Sequence, residues 1–313
     1  MTQQRAAHFA ATGRHTASEV SMTFIGNATT LLRLGSFTLL TDPNFLHAGE
    51  RAYLGYGLHT RRLLDPAMEI DHLPPLDAVV LSHLHGDHFD QVCRDRLPRS
   101  LSVITTPHAE RRLHRWGFGG ATGLPYWAET TMRRGAQVLR VTSVPAQHGP
   151  ALVHRLMPHT MGSIIDLEEA GQRRFRLYIT GDTLNRPRLR QIVERFGEID
   201  AMLIHLGGTR VLGTLMTMDG AQGAHLLERV RPGTALPIHY DDYTVFKSPL
   251  SDFTREVAGR NLSALVRTWG RGETVTLPLR ATSASIVPAG DADAGGADVG
   301  AVPAHPDEPV EGR

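Results

Sequence analysis

The sequence predicts a mixed α/β protein built around two sheets, and three features carry that reading. Apolar runs at residues 78–81 and 201–205 read as buried strands. Leu189, Ile192, Val193 and Phe196 recur at i, i+3, i+4 and i+7, the stripe of an amphipathic helix. The elements also fall into two similar halves: strands, helix, strand, then strands, helix, strand, helix, strand, helix. Periodicity alone goes no further than two sheets with helices. Two ββα-like halves meeting sheet to sheet would form an α+β, four-layer αββα sandwich.

Taken in order, residues 20–25, 29–34 and 37–41 read as a β-meander, with turns at Gly26-Asn27 and Gly35-Ser36. Residues 44–75 hold three glycines, three prolines and few periodic apolar positions. A loop of that length commonly covers a site. Strands follow at 78–81, 103–105 and 138–141, with a helix near 109–116. A second meander turns at Gly171. Thr217 can cap a helix that runs to residue 230, where Arg231-Pro232-Gly233 ends it. A short strand at 236–239, a helix starting at Ser251 or Asp252, and a strand at 274–277 complete the order. Residues 1–19 read as a loose polar arm, 20–280 as the domain, and 281–313 as a disordered acidic tail.

Composition excludes several classes. Of 313 residues, 41% are hydrophobic and 21% charged, which sets aside collagen, coiled coil and wholesale disorder. The formal net charge is +1, which is no footprint for nucleic acid. Lys247 is the only lysine, so nearly all positive charge is arginine. The arginine clusters 111, 112, 115 and 186, 188, 190 recur at helical spacing and read as solvated faces, with an anionic-substrate patch as the other reading. The single cysteine, Cys93, excludes an intrachain disulfide and an iron–sulfur cluster, and reads as a packed thiol. No signal-like apolar core opens the chain, and no run approaches a membrane span. A cytoplasmic protein with a small-molecule substrate is expected.

The chemistry concentrates in His83-Leu84-His85-Gly86-Asp87-His88. Four potential ligands lie within six residues, just past a buried strand. His83 and His85 share a face in an extended segment, and a turn at Gly86 re-aims Asp87 and His88. Imidazole and carboxylate suit zinc, iron or manganese. His148, Asp182 and His239 each follow a predicted strand. Singly they read as a loop histidine, a helix N-cap and a strand histidine. Behind the cluster they become candidate ligands.

This set resembles the metallo-β-lactamase superfamily. Gly26-Asn27-Ala28-Thr29, Leu40-Thr41-Asp42-Pro43 and Pro145-Ala146-Gln147-His148 are similar to the branch with ascorbate-6-phosphate lactonase and N-acylphosphatidylethanolamine-hydrolysing phospholipase D. The resemblance implies the αββα fold and two divalent metal ions, with zinc first and manganese or iron as alternatives. It implies that His83, His85 and His148 hold one ion, that Asp87, His88 and His239 hold the other, and that Asp182 bridges them. The expected reaction is hydrolysis of an ester, lactone or phosphodiester, in which a hydroxide shared by the ions attacks and Asp87 orients it. His205 is a second catalytic candidate, if it faces the pocket. Asp42 is a candidate hydrogen-bond partner for a ligand histidine, and otherwise a turn former before Pro43. Tyr240, Asp241 and Asp242 are candidates to line the site, and the three tryptophans read as core. Two rivals stand: a diiron redox enzyme, in which the flavoproteins of this superfamily typically place glutamate at the position of His85, and a non-catalytic metal-binding module.

Overall fold

The computed structural model describes residues 19–150 and 157–281. Apart from Glu19 and Ala281, the expected arm and tail lie outside the described residues. All described residues fall in one unit.

The first half supplies β1 (Glu19–Gly26), β2 (Thr29–Leu34), β3 (Phe37–Thr41), β4 (Arg51–Gly55), β5 (Leu58–Arg61), β6 (Ala78–Val80), α1 (Gln91–Arg96), β7 (Ser102–Thr105), α2 (Pro107–Arg115) and β8 (Ala121–Gly123). The second supplies β9 (Glu129–Arg134), β10 (Gln137–Pro145), β11 (Met161–Glu169), β12 (Gln172–Ile179), α3 (Arg190–Phe196), β13 (Ala201–His205), β14 (Arg210–Val211), β15 (Thr214–Leu215), α4 (Gly220–Val230), β16 (Thr234–Ile238), α5 (Leu250–Gly259) and β17 (Thr274–Pro278). A seven-stranded sheet runs β17-β1-β2-β3-β6-β7-β8, and a six-stranded sheet runs β16-β13-β12-β11-β10-β9.

Side-chain alternation divides the strands between three apolar layers. Leu39, Ala78 and Val80 of the first sheet meet Leu177, Ala201 and Leu203 of the second in the central core. The intervening residues face outward. Leu40 and Val79 pack with Cys93 of α1 and Leu113 of α2. Tyr178, Met202 and Ile204 pack with Ile192 of α3, Leu226 and Leu227 of α4, and Phe253 of α5. Helix, sheet, sheet, helix is therefore the layer order, as the two-halves reading expects. Cys93 is fully buried and its Sγ lies 3.1 Å from the Pro43 carbonyl, the packed thiol expected.

The helix expected near 109–116 starts at Pro107, where Thr106 caps it by accepting from Ala109 N. Ala170 and Gly171 both take positive φ, 50° and 78°, in the two-residue turn between β11 and β12. Other boundaries differ. Asp219, not Thr217, caps α4. The last helix starts at Leu250 rather than Ser251. Strands β8 and β9 carry no sequence signal: β8 has three residues, and the polar β9 sits at a sheet edge. The expected loop at 44–75 contains the hairpin β4–β5. Of the tryptophans, Trp269 is core, while Trp116 and Trp127 are partly buried against it. Among the described residues, no helix is long and apolar enough to cross a membrane.

Candidate metal centre

Strand direction decides where the candidate ligands collect. β3, β6 and β7 run parallel, as do β12, β13 and β16, so their carboxyl ends share an edge in each sheet. Asp42 leaves β3, and the histidine motif leaves β6. Asp182 leaves β12, His205 ends β13, and His239 leaves β16. β10, antiparallel to β11 and so aligned with β12, delivers His148 to the same edge. Loops at carboxyl strand ends are the usual place for sites in such sheets.

The seven expected ligands are brought together and all are buried. His83, His85 and His148 form one set whose donor atoms lie within 4.8 Å of one another; Asp87, His88 and His239 form another. Asp182 groups with His83 and His88. Its Oδ2 lies 3.4 Å from His88 Nε2, 3.8 Å from His148 Nε2 and 3.9 Å from His83 Nε2, and its Oδ1 lies 3.6 Å from His239 Nε2. It therefore stands between the two sets.

Metal ions fit this donor chemistry. His83 Nε2 and His85 Nδ1 face each other at 2.9 Å, and His88 Nε2 and His239 Nε2 at 3.2 Å. Two neutral ring nitrogens at that spacing need a proton or a cation between their lone pairs. His85 Nε2, Asp87 Oδ1 and Asp182 Oδ1 are buried without a hydrogen-bond partner. Among the described residues, no arginine or lysine pairs with Asp42, Asp87 or Asp182, so the charged partners of these three buried carboxylates are histidines alone. Burial disfavours charge on His88, but Asp182, Asp87 and Asp42 outweigh it and raise its pKa well above the ordinary value. His239 is raised against burial by Asp182 and Asp87. Burial, joined by the neighbouring His148, pushes His85 down to about 3. A site so anionic in its carboxylates and so poor in fixed cations suits divalent ions.

The rings are aimed from behind. His148 Nδ1 lies 3.0 Å from the Met216 carbonyl, and His239 Nδ1 lies 3.3 Å from the Leu206 carbonyl. Each carbonyl accepts the Nδ1–H and turns the Nε2 lone pair inward. His83 Nδ1 meets Ser82 Oγ at 3.0 Å. Asp42 takes the part expected of it. Its Oδ1 accepts from Ser82 N at 2.6 Å, and its Oδ2 lies 3.2 Å from His88 Nδ1. Asp42→Ala should weaken metal binding by roughly 10–100-fold, read by competition against a chromogenic chelator. Unchanged affinity would remove Asp42 from this role.

His205 groups with Asp42 and His88. His205 does not line the cavity described below. It lies behind His88, ring to ring at 6.0 Å and 11°, with Nε2 3.5 Å from Asp42 Oδ2 and Nδ1 3.2 Å from Thr180 Oγ1. It ends a fully buried strand, so its side chain meets the back of the cluster rather than its open face. Tyr240, Asp241 and Asp242 do not line the cavity either. Tyr240 packs in the outer apolar layer. Asp241 pairs with Arg271 at 2.7 Å. Asp242 accepts from Asn27 N at 2.7 Å and pairs with Arg62 and Arg271.

That last contact exposes a support that residue types alone did not signal. Asn27 Nδ2 donates to the Asp87 carbonyl at 2.6 Å, and the Asn27 carbonyl accepts from His239 N at 2.9 Å. One turn residue thereby ties the motif to a ligand 151 positions beyond His88. It holds His239 at φ 63°, a left-handed conformation unusual for histidine. Arg62 is fully buried and donates to the Asn44 carbonyl and the Leu64 carbonyl at 3.0 and 2.8 Å. Asn44 in turn donates to the Gly86 carbonyl at 3.0 Å. Gly86 is needed for close approach: a Cβ there would lie 2.7 Å from Tyr53 N and 2.8 Å from Tyr53 O.

Above the ligands lies a cavity of about 320 Å³. His85, Asp87, His148 and Asp182 contribute to its lining. Leu54, Tyr56 and Leu58 of the β4–β5 hairpin form one wall, and Val211, Leu212 and Thr214 of the β14–β15 hairpin another. Leu212 is fully exposed and Tyr56 is 70% exposed, so apolar side chains reach the rim.

The model of the β-lactamase superfamily domain matches residues 38–240, which spans the motif and every candidate ligand. The chain belongs to the metallo-β-lactamase superfamily. Within that superfamily it is similar to a metal-dependent hydrolase of Nanoarchaeum equitans, 24% identical over 68% of this chain and 94% of that protein. It is 26% identical to an N-acyl-phosphatidylethanolamine-hydrolyzing phospholipase D of Caenorhabditis elegans, over 73% of this chain and 66% of that enzyme. The fold matches a metallo hydrolase from Ignicoccus hospitalis with a TM-score of 0.63, at 21% identity, covering 84% of this chain and all of the other. As a metallo-β-lactamase superfamily member, the chain is a metal-dependent hydrolase whose buried histidines and aspartates form its candidate metal centre.

Proposed function

We propose that this hydrolase uses two divalent ions, zinc in first place, to cleave a carboxylic ester or lactone that carries an apolar chain. The observation that carries the choice of substrate is the cavity wall. Apolar side chains from two hairpins surround the ligand cluster, and among the described residues no arginine or lysine lines that cavity. A phosphorylated lactone would keep its phosphate away from the metal ligands, and burying that charge against apolar walls without a cation is costly. It therefore ranks behind neutral esters and lactones, whereas a phosphodiester would present its single charge to the ions themselves and is separated by the substrate panel below.

His83, His85 and His148 would hold one ion, Asp87, His88 and His239 the other, and Asp182 both. Ions so held supply Lewis-acid activation of water and of the scissile group. The chain does the rest. The Met216 and Leu206 carbonyls and Asp42 keep the imidazoles aimed, and His205 steadies Asp42. Asp87 borders the cavity and offers its unpartnered Oδ1 to orient a nucleophilic water. Leu54, Leu58 and Val211 shield the reacting carbonyl from bulk water and seat the chain.

The test pairs metal analysis of purified protein with a substrate panel before and after chelation. Neutral p-nitrophenyl esters and lactones of rising acyl length should show kcat/KM increasing with length, abolished by chelation and restored by zinc. Leu54→Asp should flatten that length dependence. Faster turnover of bis(p-nitrophenyl) phosphate than of every ester would overturn the choice of bond.

A further inference from the structure

Across β4 from the first cavity lies a second, of about 530 Å³. The two touch at Tyr56, His85 and Met157, but their charge differs. Arg51, Arg94 and Arg112 line the second, and among the described residues Asp90 is its single carboxylate. Both Asp90 oxygens are already engaged by backbone N–H groups. Its Oδ1 accepts from Cys93 N at 2.8 Å, and its Oδ2 accepts from Leu46 N at 2.8 Å and from Phe45 N. Arg94 Nε lies 3.2 Å from Asp95, an exposed neighbour on its own helix. No carboxylate among the described residues pairs with Arg51 or Arg112 within salt-bridge distance. The cavity is thus a concave surface with guanidinium donors in excess.

One side of it is aromatic. Trp116 stacks on Phe89 with centroids 6.3 Å apart and planes 14° apart. The guanidinium carbons of Arg94 and Arg112 sit 5.6 and 5.4 Å from the indole centroid. A guanidinium parked over an indole is partly ordered before any ligand arrives, so less side-chain freedom is lost on binding. Planar guanidinium forks match carboxylate, sulfonate or phosphate oxygens, and the indole matches a flat ring.

We propose that this second cavity is a ligand site for an organic anion with a planar, largely apolar body, separate from the cavity over the metal ligands. Its occupant would border β4, the strand that walls the first cavity.

Calorimetric titration of the metal-loaded full chain with naphthalene-2-sulfonate tests this, because a sulfonate coordinates metals weakly. Saturable one-to-one binding is expected. The double substitution Arg94→Gln and Arg112→Gln should raise Kd by about tenfold or more, the loss of charge-assisted hydrogen bonds. Arg51→Gln, on a different element, should weaken binding in the same direction. The neutral analogue 2-naphthalenemethanol should bind the wild type at least about tenfold more weakly and ignore these substitutions. Thr214→Trp, which narrows the first cavity, should leave sulfonate affinity within about twofold. No saturable binding, equal affinity in the arginine variants, or a loss confined to Thr214→Trp would each overturn the assignment. None of these outcomes depends on which bond the metal centre cleaves.

Discussion

Asp182→Ala should abolish metal-dependent turnover while the protein stays folded. Asp182 stands within 4 Å of ring nitrogens from His83, His88, His148 and His239, so no other single side chain touches both ligand sets so broadly. Its carboxyl is held well below the usual range: burial pushes it up, but His239, His88 and His148 outweigh that. It is therefore an anion at any working pH, and its removal takes a negative charge from the centre of the cluster. The loss in kcat/KM should be at least about a thousandfold, beyond the roughly 10–100-fold that an outer partner is worth. Bound metal, measured by mass spectrometry of the purified variant, should fall below the wild-type stoichiometry. Circular dichroism should be unchanged, because the layers of the core do not include Asp182. His85→Ala should behave alike. Wild-type turnover in both variants would remove the metal centre from the chemistry.

Arg62→Ala should destabilise the fold by about 3–5 kcal/mol, because it strips the Asn44 and Leu64 carbonyls of buried, charge-assisted donors worth roughly 1.5–3 kcal/mol each. Arg62 and Asp242 are both fully buried, with Nη2 and Oδ1 3.3 Å apart. Arg62 also contacts the Asn44 side chain, which accepts from Tyr243 Oη at 2.8 Å. Arg271 remains to compensate Asp242, at 2.5 Å, but nothing replaces the donors to Asn44 and Leu64. Urea unfolding followed by circular dichroism reads the change. A residual folded fraction should have weakened metal affinity, since Asn44 and Asp242 support the Gly86 carbonyl and Asn27. Arg62→Lys should rescue little, because one ammonium cannot copy the fork. A destabilisation under about 1 kcal/mol would show the network to be dispensable.

These two predictions differ in how far the sequence announced them. The candidate ligands are legible because histidine and aspartate cluster after an apolar strand, with three more at later strand ends. Asp42 was legible as one of two readings. Arg62 was not. In the run Arg61-Arg62-Leu63-Leu64 it looks like any solvated arginine, and burial is not written in residue type. Asn27 and Asp242 were noticed for other reasons, a turn and a cavity wall, and act instead as ties between distant loops. The side on which His205 stands is illegible for the same cause: a strand-end histidine can face either side, and only packing against His88 and Asp42 decides.

By itself the sequence determined the two-sheet α/β class, the order of the main strands and helices, and the set of donor atoms. Each is local: strand alternation, helix caps and ligand chemistry depend on residues near one another in the chain. Tertiary structure decided the rest. It set which strand ends share an edge, which rings are aimed by Met216, Leu206 and Asp42, and what surrounds the site. The cavity walls come from β4–β5 and β14–β15, two hairpins whose sequences carry no strong periodic signal. Their apolar side chains gain meaning only when folded over the metal ligands. The physical reason is that coordination follows from residue type, whereas burial, register and wall chemistry follow from contacts between segments far apart in the chain.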